Sequence, residues 1–288
     1  MKFILALLTA STLIAIETKS ANAIVQSLYD GSGLPQNNSP QWLIPGAIDA
    51  NGNIINAKTT AVSGGVEIDS NATGFNGNAA EYSGYSNYNP LTSTFVNSSF
   101  PTLDRNSGYS IFFNVALDTI NDFSDTNDNN RAAFTITTIS TDNRGIEIGF
   151  DEDRIFAQSS DFEQVAAETN LVNTNVSTDY QLEVSGNSYQ LLADTGSGFA
   201  SIINGNLRTY NFNPATSNPP LGTFNPYEIP NFVFLGDNTG QAYGTFTLGS
   251  ISVESANVPF DFSPTLGLVL VGIGVASRKF YRQSDRLN

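Results

Sequence analysis

Glu147, Asp151, Glu152 and Asp153 fall within "GIEIGFDEDRIFAQ", residues 145–158. A pair of carboxylates on an extended chain can hydrolyse a glycosidic bond, one as acid and one as nucleophile or base. Retaining hydrolysis needs the two carboxyl groups about 5 Å apart. Residues four apart on a flat strand, as Glu147 and Asp151 would be, lie about 13 Å apart at about 3.3 Å per residue. The alternate position between them is Gly149, so no middle carboxylate closes the gap. Three readings stand side by side. In the first, Ile146, Ile148 and Phe150 enter a core, Glu147 faces solvent, and Asp151 to Asp153 turn the chain into a second strand. In the second, Glu147 and Asp151 contact a ligand. The third is a carboxylate-dependent glycoside hydrolase.

Two other groups of residues have the types a binding site needs. In "DFSDTNDNN", Asp125, Asn127 and Asn129 follow the first half of a Ca²⁺-binding EF-hand loop, but Asn130 replaces the required glycine and Ile136 stands where a bidentate glutamate belongs. The loop is therefore not an EF-hand; a Ca²⁺ site on a hairpin tip and a solvated tip both remain as readings. Trp42, Tyr82, Tyr85 and Tyr88 are aromatic surfaces of the kind that stack on sugar rings. For Trp42, packing in the core is the competing role.

Other chemistry is excluded by what is missing. The chain has no cysteine and no histidine, which removes disulfides, thiolate and imidazole metal sites, and the Ser-His-Asp and Cys-His mechanisms. Half of the 12 basic residues, Lys2, Lys19, Arg278, Lys279, Arg282 and Arg286, lie near the two ends. What remains between them is more acidic than the whole-chain charge of −15. Such a field repels phosphate backbones, so nucleic acid is not an expected partner.

The elements that would carry these residues are strands. In "GYSIFFNVALD", Tyr109, Ile111, Phe113, Val115 and Leu117 alternate with Ser110, Asn114 and Asp118, the period of a half-buried strand. The same alternation recurs at Phe134 and Ile136, at Ile146 to Phe150, at Tyr180 to Val184, at Tyr189 and Leu191, at Phe232 and Phe234, and at Phe246 and Leu248. "SGNS", residues 185–188, predicts a tight hairpin. Asp161 to Leu171 is the one stretch read as a helical turn or two. The Asn/Pro-rich stretch 211–230 reads as a long surface loop. Closely spaced strands without crossover helices predict an all-β fold, an antiparallel two-sheet sandwich of the jelly-roll kind.

Both ends read as address labels. Lys2, the apolar run Phe3 to Ile16 and Ala21-Asn22-Ala23 predict a signal peptide over 1–23. At the other end, an apolar stretch from Leu266 to Ala276 precedes the basic cluster. As a helix that stretch would be about 17 Å long at about 1.5 Å per residue, so spanning a bilayer requires flanking residues as well. The expected organisation is a signal peptide, a sandwich body over 24–257 and a sorting or membrane-anchoring tail over 258–288.

Several stretches, "RAAF", "GIEIGF", "PNFVFLGDNT" and the tail "PFDFSPTLGLVLVG" among them, resemble the choice-of-anchor proteins of bacterial surfaces, Y type. The resemblance covers most of residues 79–254. It implies a concanavalin A or laminin G-like body and a tail similar to PEP-CTERM sorting signals, here without the Pro-Glu-Pro triplet. It implies export machinery as a partner and no common enzymatic activity. The expected function is that of an exported, envelope- or surface-anchored, non-catalytic protein binding polysaccharide, with no cofactor other than Ca²⁺. A purely structural or adhesive role is the first alternative and the glycoside hydrolase the second.

Overall fold

The protein was analysed as a computed structural model, which describes residues 24–49, 53–70, 81–122, 131–217, 221 and 224–255. The expected signal peptide and tail lie outside the described residues, as do Asp125, Asn127 and Asn129.

Two eight-stranded antiparallel sheets account for more than half of the described residues. The first has the order β16 (Phe199–Asn206), β15 (Ser188–Asp194), β14 (Thr178–Ser185), β9 (Tyr109–Asp122), β18 (Ala242–Ser255), β5 (Gly65–Asp69), β4 (Lys58–Val62), with β1 (Ile24–Tyr29) also on β18. The second runs β13 (Gln164–Leu171), β12 (Arg154–Gln158), β11 (Gly145–Asp151), β10 (Phe134–Ile139), β17 (Phe232–Asp237), β6 (Glu81–Ser86), β2 (Ile44–Ile48), β3 (Ile54–Ile55). A two-stranded ribbon of β7 (Tyr88–Asn89) and β8 (Thr94–Phe95) completes it. Sequence neighbours such as β9 and β10 sit in different sheets, which is the jelly-roll consequence of long antiparallel returns.

The alternation read from the sequence sets the core between the sheets. Tyr109, Ile111, Phe113, Val115 and Leu117 from the first sheet meet Phe134, Ile136, Ile146, Ile148 and Phe150 from the second, all buried in one cluster. Aromatic rings of the two sheets touch edge-on, as in Phe134 with Phe246 at 5.0 Å and Phe150 with Tyr180 at 5.1 Å between centroids. The 185–188 hairpin forms as read, Ser185 opposite Ser188, with Gly186 at φ +57° supplying the turn.

The stretch read as helical is a strand. Gln164 to Leu171 forms β13 and pairs with β12 across a bulge. Its apolar residues are too few to cover a helical face, and as a strand it supplies backbone partners to β12 instead.

Several tyrosines bury their rings between the layers. Tyr109 shares its hydroxyl with Thr138 Oγ1 at 3.2 Å and Ser140 Oγ at 3.0 Å. Burial pushes its pKa up to about 12, and that of Tyr85, bonded to Gln36, up to about 12 as well. A folded pKa above the unfolded value of about 10 gives stability that is complete below about pH 10 and lost as pH rises through the folded pKa. The expected result is that phenolate absorbance of the buried tyrosines appears together with loss of the β signal in circular dichroism, above pH 10. Ionisation of all tyrosines near pH 10 in a protein that keeps its fold would contradict this burial.

Candidate functional site: the covered face of the second sheet

The outer face of the second sheet is not solvated. β17 reads Phe-Val-Phe-Leu: Val233 and Leu235 enter the main core, while Phe232 and Phe234 point outward into a second cluster with Ile139, Leu221 and Tyr227. Described residues of the stretch 211–230, expected to be a surface loop, lie across this face as a plug, together with Arg208 and Tyr210 just before it. Tyr210, Phe212 and Phe224 pack on the same cluster. The plug is fastened by paired backbone bonds between Arg208 and Gly145, both 2.9 Å, and by the Arg208 guanidinium on the Gln158 carbonyl at 2.8 Å and the Glu168 carboxylate.

Glu147 is the electrostatic centre of this contact, and the expectation that it faces solvent is corrected here. Its side chain is 0% exposed. Outward on the bare sheet it would meet water, but the plug and the 237–239 turn close over it. Arg131 donates to Oε1 at 3.0 Å, Asn238 Nδ2 donates to Oε2 at 3.0 Å, and the Tyr227 hydroxyl also donates to Oε2. Asn238 Nδ2 lies 2.8 Å from that hydroxyl, and the Glu147 backbone N–H donates to Tyr210 Oη at 2.6 Å. The Arg131 guanidinium in turn sits 4.9 Å from the Phe162 ring centroid. Burial, and then the Glu147 charge, hold the Tyr210 and Tyr227 phenols well above their ordinary pKa.

Asp151 ends the strand as read, opposite Arg154, with 2.8 Å between Arg154 Nη2 and Asp151 Oδ2. Each carboxylate thus has its own arginine, and Gly149 between them lies beneath the Phe156 ring. This arrangement ties down a plug; it is not an acid pair facing a substrate.

A cleft remains where the plug stops. A cavity of about 310 Å³ lies over β2, β3 and β6, with Tyr82, Tyr88 and Phe224 as walls and Gly46 and Gly84 among the floor residues. Tyr88 and Phe224 lie nearly parallel, 6.2 Å between centroids at 15°. Tyr82 meets the Phe224 and Phe234 rings at 5.2 and 5.1 Å. Its backbone has φ +63°, a conformation costing a bulky residue about 1–3 kcal/mol. Asn56, Ser86 and Asn89 are the polar side chains of the lining besides the hydroxyl-bearing Tyr82 and Tyr88.

Of the aromatic residues singled out from the sequence, Tyr82 and Tyr88 line this cleft. Trp42 is 6% exposed, packed edge-on to Phe100 at 6.3 Å, and Tyr85 is fully buried, both in the main core. Phe224 was not singled out because no pattern in an Asn/Pro-rich stretch marks one aromatic among several. Among the described residues no group of three or more acidic side chains is placed to hold a metal.

No protein-family model matches the chain, and no curated protein does. Among solved structures it is similar to the exoplasmic/lumenal domain of VIP36 in a Ca²⁺/mannose-bound form, at 11% identity over 82% of this chain and 92% of that one, TM-score 0.45. It is also similar to the family 7 alginate lyase A1-II' in complex with substrate, at 11% identity over 78% and 97%, TM-score 0.42. The Caenorhabditis elegans galectin LEC-6 matches at 9% identity over 53% and 86%, TM-score 0.31. The sandwich architecture of this chain rests on its own strand order.

Proposed function

We propose that this is an exported surface or envelope protein whose sandwich binds polysaccharide without cleaving it, through the cleft bounded by Tyr82, Tyr88 and Phe224. The cleft carries the reading: aromatic walls offer a face for a pyranose ring, and Asn56, Ser86 and Asn89 offer hydrogen bonds at a few points. The address rests on the sequence, through the terminal segments 1–23 and 258–288 and the resemblance to Y-type choice-of-anchor proteins, with a PEP-CTERM-like tail holding the chain to the membrane. The acid-paired hydrolase has no support in the geometry, because Glu147 is sealed and Asp151 is paired with Arg154.

The test is retention of the full chain on a polysaccharide panel, with Ca²⁺ and then with chelator, while released reducing ends are recorded. Saturable retention without release is the expected result. Loss of retention in chelator would assign Ca²⁺ a part and direct attention to Asp125, Asn127 and Asn129. Reducing ends released in step with protein would replace the binding module with an enzyme. No retention on any polymer would favour the structural or adhesive role.

A further inference from the structure

The same cleft has features that narrow its ligand. Along the outer face of the second sheet, Gly149, Thr135, Gly236, Gly84 and Gly46 stand opposite one another on five successive strands. At Gly149, Gly84 and Gly236 the shallow row is filled, since a Cβ there would strike the Phe156 or Phe234 ring at 2.9 or 3.0 Å. At Gly46 a Cβ would meet nothing within 4 Å. The row is therefore open at its β2 end, and the plug residues Tyr227 and Tyr210 seal the sheet around Glu147. A ligand entering at β2 runs into the Phe224 and Phe234 rings and cannot continue across the sheet.

The polar capacity of the cleft is small. Ser86 Oγ already accepts the Tyr88 N–H at 2.9 Å, and Asn89 Oδ1 accepts the Leu91 N–H at 3.0 Å. What they still offer is chiefly donors, and apart from Asn56 and the hydroxyl-bearing Tyr82 and Tyr88 the other side chains of the lining are apolar. A hexose buried here with all its hydroxyls would leave several of them without partners, which costs binding. No charged side chain lines the cleft among the described residues, and the chain carries −15 overall. An anionic sugar would be repelled without a compensating cation.

We propose that the cleft is a pocket for the end of a neutral glycan, taking a terminal sugar in which an apolar group replaces a hydroxyl, as in a 6-deoxy or O-methyl hexose. This deepens the polysaccharide-binding reading and rests on it.

The experiment uses the full chain and matched pairs of methyl glycosides in the gluco, galacto and manno series, each with and without its 6-hydroxyl, titrated by calorimetry and then used to displace protein from the retaining polymer. In at least one series the 6-deoxy member is expected to bind about 10-fold tighter or more, the scale of one apolar group in a fitted pocket, and to displace the polymer. Gly46→Leu should fill the open end and abolish both effects at unchanged melting temperature. Should that variant fold poorly, Leu91→Asp, at a side chain 70% exposed beside the mouth, should weaken binding at least several-fold.

Equal or tighter binding of every 6-hydroxy member overturns the inference while leaving polymer binding intact. So does polymer retention that no monosaccharide displaces, which would mean that the interior of the chain is recognised. Binding unchanged in both variants places the site elsewhere. Absence of binding to every sugar and every polymer removes the underlying reading as well.

Discussion

Glu147→Ala is expected to lower the stability of this protein by about 3–5 kcal/mol, the cost of leaving a buried charge without its partner. The reason lies in what stays behind. Arg131, 11% exposed, keeps its charge but loses the carboxylate 3.0 Å away. The Tyr227 hydroxyl and the Asn238 amide lose their shared acceptor. Glu147→Gln keeps the shape and one acceptor oxygen, so its loss should be smaller. Because the pair is costly to bury in the first place, replacing both Glu147 and Arg131 with leucine should recover much of what Glu147→Ala loses.

Urea unfolding of the three variants and the wild type at neutral pH reads these differences, and a cycle completed by the single variants Glu147→Leu and Arg131→Leu gives the coupling energy. Lys58→Ala serves as the control. Lys58 is 56% exposed and pairs with Asp69 at 3.0 Å, a surface bridge worth about 0–1 kcal/mol. A loss below about 1 kcal/mol for Glu147→Ala would mean that the plug does not seal this site in solution. The same variants separate structure from function: a Glu147 that touched ligand would, on substitution, cost binding at intact stability, and the geometry predicts the reverse.

How far the sequence reveals this arrangement depends on which face of a strand is asked about. Period-two alternation identifies the inner faces of β9, β10, β11, β14 and β18 correctly, because one buried face is enough to impose it. It fails at Phe232 and Phe234, which face the second cluster while Val233 and Leu235 enter the main core, and at Glu147, because a polar residue opposite a buried face reads as solvated unless something else covers it. The cover comes from a segment whose Asn and Pro content reads as loop, and nothing within that segment says that it returns onto the sheet.

Two local signals do point to it. "FVFL" is a continuous apolar run, which means a strand buried on both faces. Glycine inside strands marks a close approach, and Gly84 in "EYSGYS", Gly149 in "GIEIGFD" and Gly236 in "FVFLGD" each lie against an aromatic ring. Tyr82 illustrates a different limit. Tyrosines three apart in "EYSGYSNY" suit neither a flat strand nor a helix. They do not share a face: an odd spacing on a strand puts Tyr82 in the cleft and Tyr85 in the main core.

Two neighbours in the glycine row, Gly84 and Gly46, should respond very differently to one methyl group, and this is the second large effect. Gly84→Ala would place a Cβ 2.4 Å from the Leu235 carbonyl oxygen and 2.6 Å from Gly236 Cα. Neither neighbour is a side chain that can swing away. Both belong to β17, which is held between β10 and β6, so relief requires opening the ladder. Overpacking of this kind costs about 1–3 kcal/mol when side chains can adjust, and the rigid partner places Gly84→Ala at about 3 kcal/mol or more. Gly46→Ala adds the same atom on β2, one residue before the first position paired with the edge strand β3, into open space. Its effect should fall within about 0.5 kcal/mol of zero, since the lost backbone freedom of the unfolded chain works in its favour.

Measured side by side by urea unfolding, the pair isolates geometry from chemistry, because the residue change is identical. Equal losses at the two positions would mean that the cleft over Gly46 is occupied in the folded protein, and with it the space in which a sugar is proposed to sit. A large loss at Gly84 with none at Gly46 would establish that the row is filled by β17 at Gly84 and open at its β2 edge, which is the condition for a pocket that receives the end of a chain and excludes its interior.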